Sequence, residues 1–286
     1  LLIWGAGSLA QNGWDGVASL APRLAICGLA AWLLLRPLAV LEVDDASAKS
    51  LGISLKHLRF AGLGLAVFIT GSVVSVVGII GFIGLAAPNI VRMAGARTLR
   101  ARLLWSTLLG AVLLATTDLL LQRFSGMVAT LIPTGAVTGA LGAPLLMWLI
   151  PRLKLQGDRP PQASGVVITR HAAPYRLATG LLLALVAAMV VGHLVGQGAN
   201  GWSIIAPTNW GVIEWRFPRV IAAAASGLML AIAGTILQRL SANPMASPEV
   251  LGISGGCAIA LILGIYLLPA PSNALLVAIG TLGALA

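Results

Sequence analysis

The chain has 286 residues, of which 58% are hydrophobic and only 9% charged, against about half apolar and a quarter charged in soluble domains. With a mean hydropathy of +0.98, that balance excludes a soluble globular domain and describes an integral membrane protein. The net charge of +10 invites a nucleic-acid reading, but the placement of the charges between apolar runs argues against one.

In chain order, apolar runs near 17–38, 58–79, 103–122, 134–151, 177–196, 219–238 and 251–269 are each close to the roughly 20 residues that a spanning helix needs. A shorter run near 80–94, interrupted by Pro88 and carrying Arg92, is a weaker span, and a last run from about 273 to Ala286 stops before it could cross. The chain does not start with Met, so it reads as an internal fragment of a longer polypeptide, in which no signal peptide is expected. If the spans alternate, with the short run 80–94 counted as one, fourteen of the 18 Lys and Arg residues fall on one side. The other side receives only Arg23, Arg123, Arg216 and Arg219. This is the positive-inside pattern, and it places the basic loops in the cytoplasm.

The first polar segment, Leu41 to Phe60, is rich in Ala, Leu and Lys; Asp44 and Asp45 suit a helix start and Gly52 a stop or sharp turn. A short cytoplasmic helix, a turn and a lead into the next span form a surface that another protein could grip. A second polar stretch, LQGDRPPQASGVVITRHAAPY, breaks the composition more sharply. It reads as a cytoplasmic linker over 154–176, between one membrane unit over 1–153 and another over 177–286. An ordinary long loop within one bundle is the alternative. On the opposite side, Trp4 to Gly16 and Gly196 to Trp215 are rich in Trp, Gly and Asn, as interfacial segments commonly are.

Within the spans, Gly135 with Gly139 and Gly252 with Gly256 stand at the small-xxx-small spacing that lets membrane helices approach closely, and Gly78, Gly81 and Gly84 form a further cluster. Pro144 would kink its span. Asp118 lies inside the run 103–122, five residues before Arg123. A carboxylate at membrane depth is either part of a proton relay or half of an ion pair, here with Arg123. Arg216 and Arg219, in the segment WRFPR at the mouth of an apolar run, present planar forks suited to a partner's carboxylates or to lipid phosphate. Cys27 and Cys257 are isolated, as are His57, His171 and His193. No phosphate-binding loop, HExxH motif or Cys/His cluster occurs, so no enzyme site is expected and any nucleotide must be bound by another subunit.

Four blocks carry a resemblance to the permease subunits of the ABC importers for iron siderophores, haem and cobalamin. DDASAKSLGISLKHLR (Asp44 to Arg59) resembles their cytoplasmic coupling helices, with Ala48, Leu51 and Gly52 at the core. VGIIGFIGLAAPNIVRMAG (Val77 to Gly95) and TGAVTGALGAPLLMWLIPRL (Thr134 to Leu153) resemble late helices of the permease unit. The segment from Trp215 to Gly256 resembles its second and third helices. Late blocks precede early ones, so the chain resembles the back of one unit joined to the front of another, as in the fused double-unit branch that carries ferric hydroxamates.

The resemblance implies an all-α, polytopic transmembrane bundle of the type II ABC importer class, with about ten helices per unit and no cofactor in this chain. It further implies a dimer of ATPase subunits binding ATP and Mg, contacted through Asp44, Asp45, Ala48, Leu51 and Gly52. A periplasmic siderophore-binding protein would dock its acidic residues on Arg216, Arg219 and Arg123; Arg123 is one position displaced from the family's arginine. The expected location is the bacterial inner membrane. A cobalamin or haem permease is the alternative within the class. Outside it stand a proton-coupled carrier resting on Asp118 and a structural scaffold.

Overall fold

The computed structural model describes residues 7–11, 13–40, 54–96, 98–123, 133–149, 174–198, 201–204, 210–268 and 271–285. The chain forms α1 (Asp15–Val40), α2 (Leu55–Val77), α3 (Ile83–Met93), α4 (Leu99–Arg123), α5 (Thr134–Leu149) and α6 (Pro174–Leu194). A hairpin of β1 (Val195–Gly198) and β2 (Gly201–Ile204) follows, then α7 (Trp210–Leu240), α8 (Ile253–Leu267) and α9 (Asn273–Gly283). The expected helical bundle is present, and α1, α2, α4 and α7 are each long and apolar enough to cross a membrane. The hairpin is the addition: its antiparallel register runs from Val195 opposite Ile204 to Gly198 opposite Gly201.

Apolar helices in a membrane must satisfy their polar groups internally. Thr70, Thr116, Thr117, Thr235 and Thr281 do so by donating to the carbonyl four residues earlier, at 2.7–2.8 Å. The turn between α2 and α3 needs glycine: Gly78 has φ 74° while its N–H caps α2 on the Val74 carbonyl. Phe82, at φ 68°, enters α3 in the left-handed region that bulky residues rarely adopt.

The bundle is organised around α7. Of its apolar stretch 89% is buried, against 22% for α1, and it packs on α1, α2, α3, α4 and α6. Helices from before and after residues 154–176 are therefore interleaved in one bundle. Small residues make this possible. Gly227 of α7 meets the backbone of Gly110 in α4, and seven residues on, Gly234 meets the backbone of Gly84 in α3. That spacing puts both glycines on nearly the same face, two turns apart.

The two ends of the bundle differ. At one, Trp14, just before α1, stacks obliquely on Phe217 near the start of α7, with ring centroids 5.4 Å apart. At the other, Arg239 near the end of α7 donates to the Leu38 carbonyl at the end of α1, at 3.1 Å. A cation there also complements the C-terminal dipole of α1. Lys56, Arg59, Arg100 and Arg102 lie in the first turns of α2 and α4, at the same end as Arg239, so among the described residues the basic side chains gather at this end of the fold.

Adding a side chain at the central crossing forces backbones apart, and overpacking typically costs about 1–3 kcal/mol. We expect Gly234→Val to lower thermal stability in detergent, read as loss of the folded peak in size exclusion after heating. Gly180→Ala, where a new methyl meets nothing within 4 Å, should leave it unchanged.

Candidate functional site

At the Trp14 end, α7 starts at Trp210, so Arg216 and Arg219 lie about two turns inside a helix rather than at its mouth. That depth brings Arg219 against the last turns of α4. Its Nε donates to both oxygens of Asp118, at 3.1 and 2.9 Å, and its Nη2 donates to Oδ1 at 2.7 Å. Gln122, one turn along α4, adds a donor at 2.7 Å. The carboxylate is thus bound by a fork and an amide while its side chain is only 2% exposed. Among the described residues the ionic partner of Asp118 is Arg219, 101 positions away, where the sequence offered Arg123. Arg123 closes α4 one residue beyond Gln122, on a different face, and its side chain lies outside the described residues.

The two arginines of the WRFPR segment therefore differ. Arg219 is engaged in the interior, although 29% of its side chain stays exposed. Arg216 is half-buried, and its Nη1 has no hydrogen-bond partner among the described residues. Between them Phe217 reaches Trp14, and Pro218 is buried within the helix. The arrangement offers one unsatisfied cation and one partly exposed, already paired cation on the same end of the bundle.

The opposite end holds a polar junction built on the turns between α7 and α8. Asn243 closes an Asx turn by accepting from the Met245 N–H at 2.9 Å. Asn89 of α3, fully buried, donates to the Pro244 carbonyl at 2.7 Å and to its own helix at Leu85 at 2.8 Å. It ties α3 to this connection, and the signal available in the sequence was a lone amide after Pro88 in an apolar run. Glu249 lies in the same connection, largely buried, with its Cγ 3.6 Å from where a methyl on Gly81 would sit. Burial pushes its carboxyl above the usual carboxylate range, with the neighbouring Ser247 opposing that shift in part.

Of the glycines expected to pack helices, Gly256 lies against the backbone of Gly283 in α9, and a methyl added at Gly139 would sit 4.0 Å from the Phe82 ring. Gly135 donates its N–H to the Gly7 carbonyl at 3.2 Å. Gly252 is a correction: a methyl added there would meet nothing within 4 Å, so no helix packs on it, and glycine suits the position because φ is 76° at the entry to α8. The central contacts at Gly110, Gly227 and Gly234 were missed. Gly227 and Gly234 are spaced by seven rather than four, among consecutive alanines. Asp44, Asp45, Ala48, Leu51 and Gly52 lie outside the described residues.

The model of the FecCD transport family matches residues 1–152 and 180–286. The chain is 43% identical, over its whole length, to the iron(3+)-hydroxamate import system permease protein FhuB of Salmonella typhimurium, covering 42% of that protein. It is 42% identical over 99% of its length to FhuB of Escherichia coli, covering 43%. The Fe(3+)-citrate import system permease protein YfmE of Bacillus subtilis is 38% identical over 52% of the chain, covering 44%. The chain spans less than half the length of these relatives. No solved structure matches it.

Removing one partner of the α4–α7 ion pair leaves a charge or a carboxylate without its counterpart, which for buried pairs costs about 3–5 kcal/mol. The exposure of Arg219 reduces that to about 2–3 kcal/mol. Asp118→Asn and Arg219→Met should each destabilise, and the double variant should lose less than the sum; a thermal double-mutant cycle reads the coupling. Glu249 gives a pH signature. Because its folded pKa is raised, its contribution is fully present below the ordinary carboxylate pKa and is lost as pH rises through the folded value. Glu249→Gln should thus be more stable than the parent at neutral pH, and a melting series across pH should flatten.

Proposed function

The chain belongs to the FecCD transport family, and on that premise we propose that it is part of the permease subunit of an ATP-driven importer of iron(III)-hydroxamates in the bacterial inner membrane. The observation that carries this reading is the match to two hydroxamate permeases across the whole chain, through the polar stretch at 154–176, where the citrate permease matches only about half. The same observation supports a fused double unit, with the back of one unit over 1–153 and the front of the next over 177–286. In this reading the back half of one unit and the front half of another satisfy each other's interfaces as the two halves of a single unit would.

The permease performs no bond chemistry. A separate pair of ATPase subunits binds ATP and Mg and drives a rigid-body shift through the segment Asp44, Asp45, Ala48, Leu51 and Gly52, tilting the units to alternate access. A periplasmic binding protein delivers the ferric hydroxamate and docks acidic residues at the opposite end. Arg216, half-buried and with no partner for its Nη1 among the described residues, is the primary docking cation. Arg219 contributes through its exposed edge while anchored by Asp118, and Arg123 is a third, more peripheral cation. The ion pair supplies a structural role for Asp118 that needs no proton relay.

The test is uptake of labelled ferric hydroxamate by cells expressing the full-length protein with its partner subunits. Uptake should stop when the ATPase is inactivated. Uptake that persists without the ATPase but collapses with an uncoupler would replace this reading with a proton-coupled carrier. For docking, Arg216→Glu is the clean variant, because reversing Arg219 also breaks the interior pair. Exchanging attraction for repulsion costs several kcal/mol against a carboxylate, so affinity for the binding protein should fall at least tenfold in Arg216→Glu, measured on the reconstituted complex, with thermal stability retained.

A further inference from the structure

The basic end of the bundle carries a groove of about 280 Å³ between α1 and α4, lined by Trp32, Leu33, Leu35, Arg36 and Arg100. Both arginines are exposed, and no carboxylate lines the groove among the described residues. Two like charges facing one small volume repel each other unless an anion enters. Beneath Arg36, α1 presents Ile26, Leu29 and Leu33 as an exposed apolar stripe, at the i, i+3, i+7 spacing that keeps residues on one face. Beneath Arg100, one turn into α4, Leu104 is likewise exposed. Cationic at the rim and apolar below, the groove is amphiphilic in the direction of the membrane normal, and it lies on the side where the charge bias places the cytoplasm.

We propose that this groove binds an anionic phospholipid of the cytoplasmic leaflet. Its phosphate and anionic headgroup sit between Arg36 and Arg100, and an acyl chain lies along Ile26, Leu29 and Leu33. Trp32, at the rim, supplies the amphipathic ring that favours headgroup depth. The volume suits a headgroup, and basic pockets between helices on the cytoplasmic side recognise such headgroups by charge. A site here would hold α1, the least buried of the four long apolar helices, against α4 with a bound lipid where the two helices make little contact of their own. The inference does not depend on which substrate the protein carries.

The full-length protein, purified with its partner subunits, is equilibrated with phosphatidylglycerol or phosphatidylcholine micelles and its retained lipids are counted by native mass spectrometry. Phosphatidylglycerol should be retained at least tenfold over phosphatidylcholine, since each basic residue near an anionic headgroup contributes on the order of a factor of five. Arg36→Gln with Arg100→Gln should remove about tenfold of that preference, and Arg36→Lys with Arg100→Lys, which keeps the charge and controls for folding, should restore most of it. Equal retention of the two lipids, or a preference unchanged in the glutamine variant, would overturn the proposal. Displacement of phosphatidylglycerol by millimolar inorganic phosphate would overturn it in favour of a simple phosphate site.

Discussion

Gly227 on Gly110 and Gly234 on Gly84 bring the backbone of α7 against α4 and α3 with no side chain between them, and the rest of the bundle is arranged around that approach. In a membrane there is little hydrophobic force between helices, so close van der Waals packing of small residues carries association. The run Ala222 to Ala225, with Ser226, Ala231 and Ala233, extends the same narrow surface along α7, and all of these residues are buried. A helix this slender can sit in the middle of five neighbours. A leucine-rich helix such as α1 stays at the rim with many of its large side chains exposed.

Central placement has an electrostatic consequence. A helix surrounded by protein cannot send an arginine to lipid headgroups except near its end, so Arg219, some two turns inside α7, must find its partner within the bundle. Asp118 of α4 provides it, and the tight crossing about two turns further in, at Gly110 and Gly227, holds the two helices near enough for a forked contact. Packing and charge are therefore coupled along the same pair of helices. Arg216, one turn nearer the helix start, escapes that arrangement and keeps a donor with no partner among the described residues.

The other end relies on backbone carbonyls rather than carboxylates. Asn89 holds the Pro244 carbonyl and Arg239 holds the Leu38 carbonyl, so the connection after α7 is tied to α3 and the end of α7 to α1. Two neutral or singly charged anchors of this kind can be released at lower cost than a paired charge in the interior.

What the sequence by itself determined was the membrane class, the places of the four long apolar helices and the clustering of charge between the apolar runs. Apolar run length and the positions of Lys and Arg are properties of a line, and the physics of the bilayer acts on them segment by segment; even the short α3 with Pro88 was legible in this way. The four resembling blocks likewise placed the chain in its family before any fold was known. Only the tertiary structure decided which residue meets Asp118, since Arg219 is 101 positions away and Arg123 five. It also decided that glycines seven apart form the central crossing and that Gly252 serves a backbone angle rather than a contact. Each of these depends on how α7 is rotated and how deep it sits among helices distant in sequence, and spacing along one chain carries no record of either.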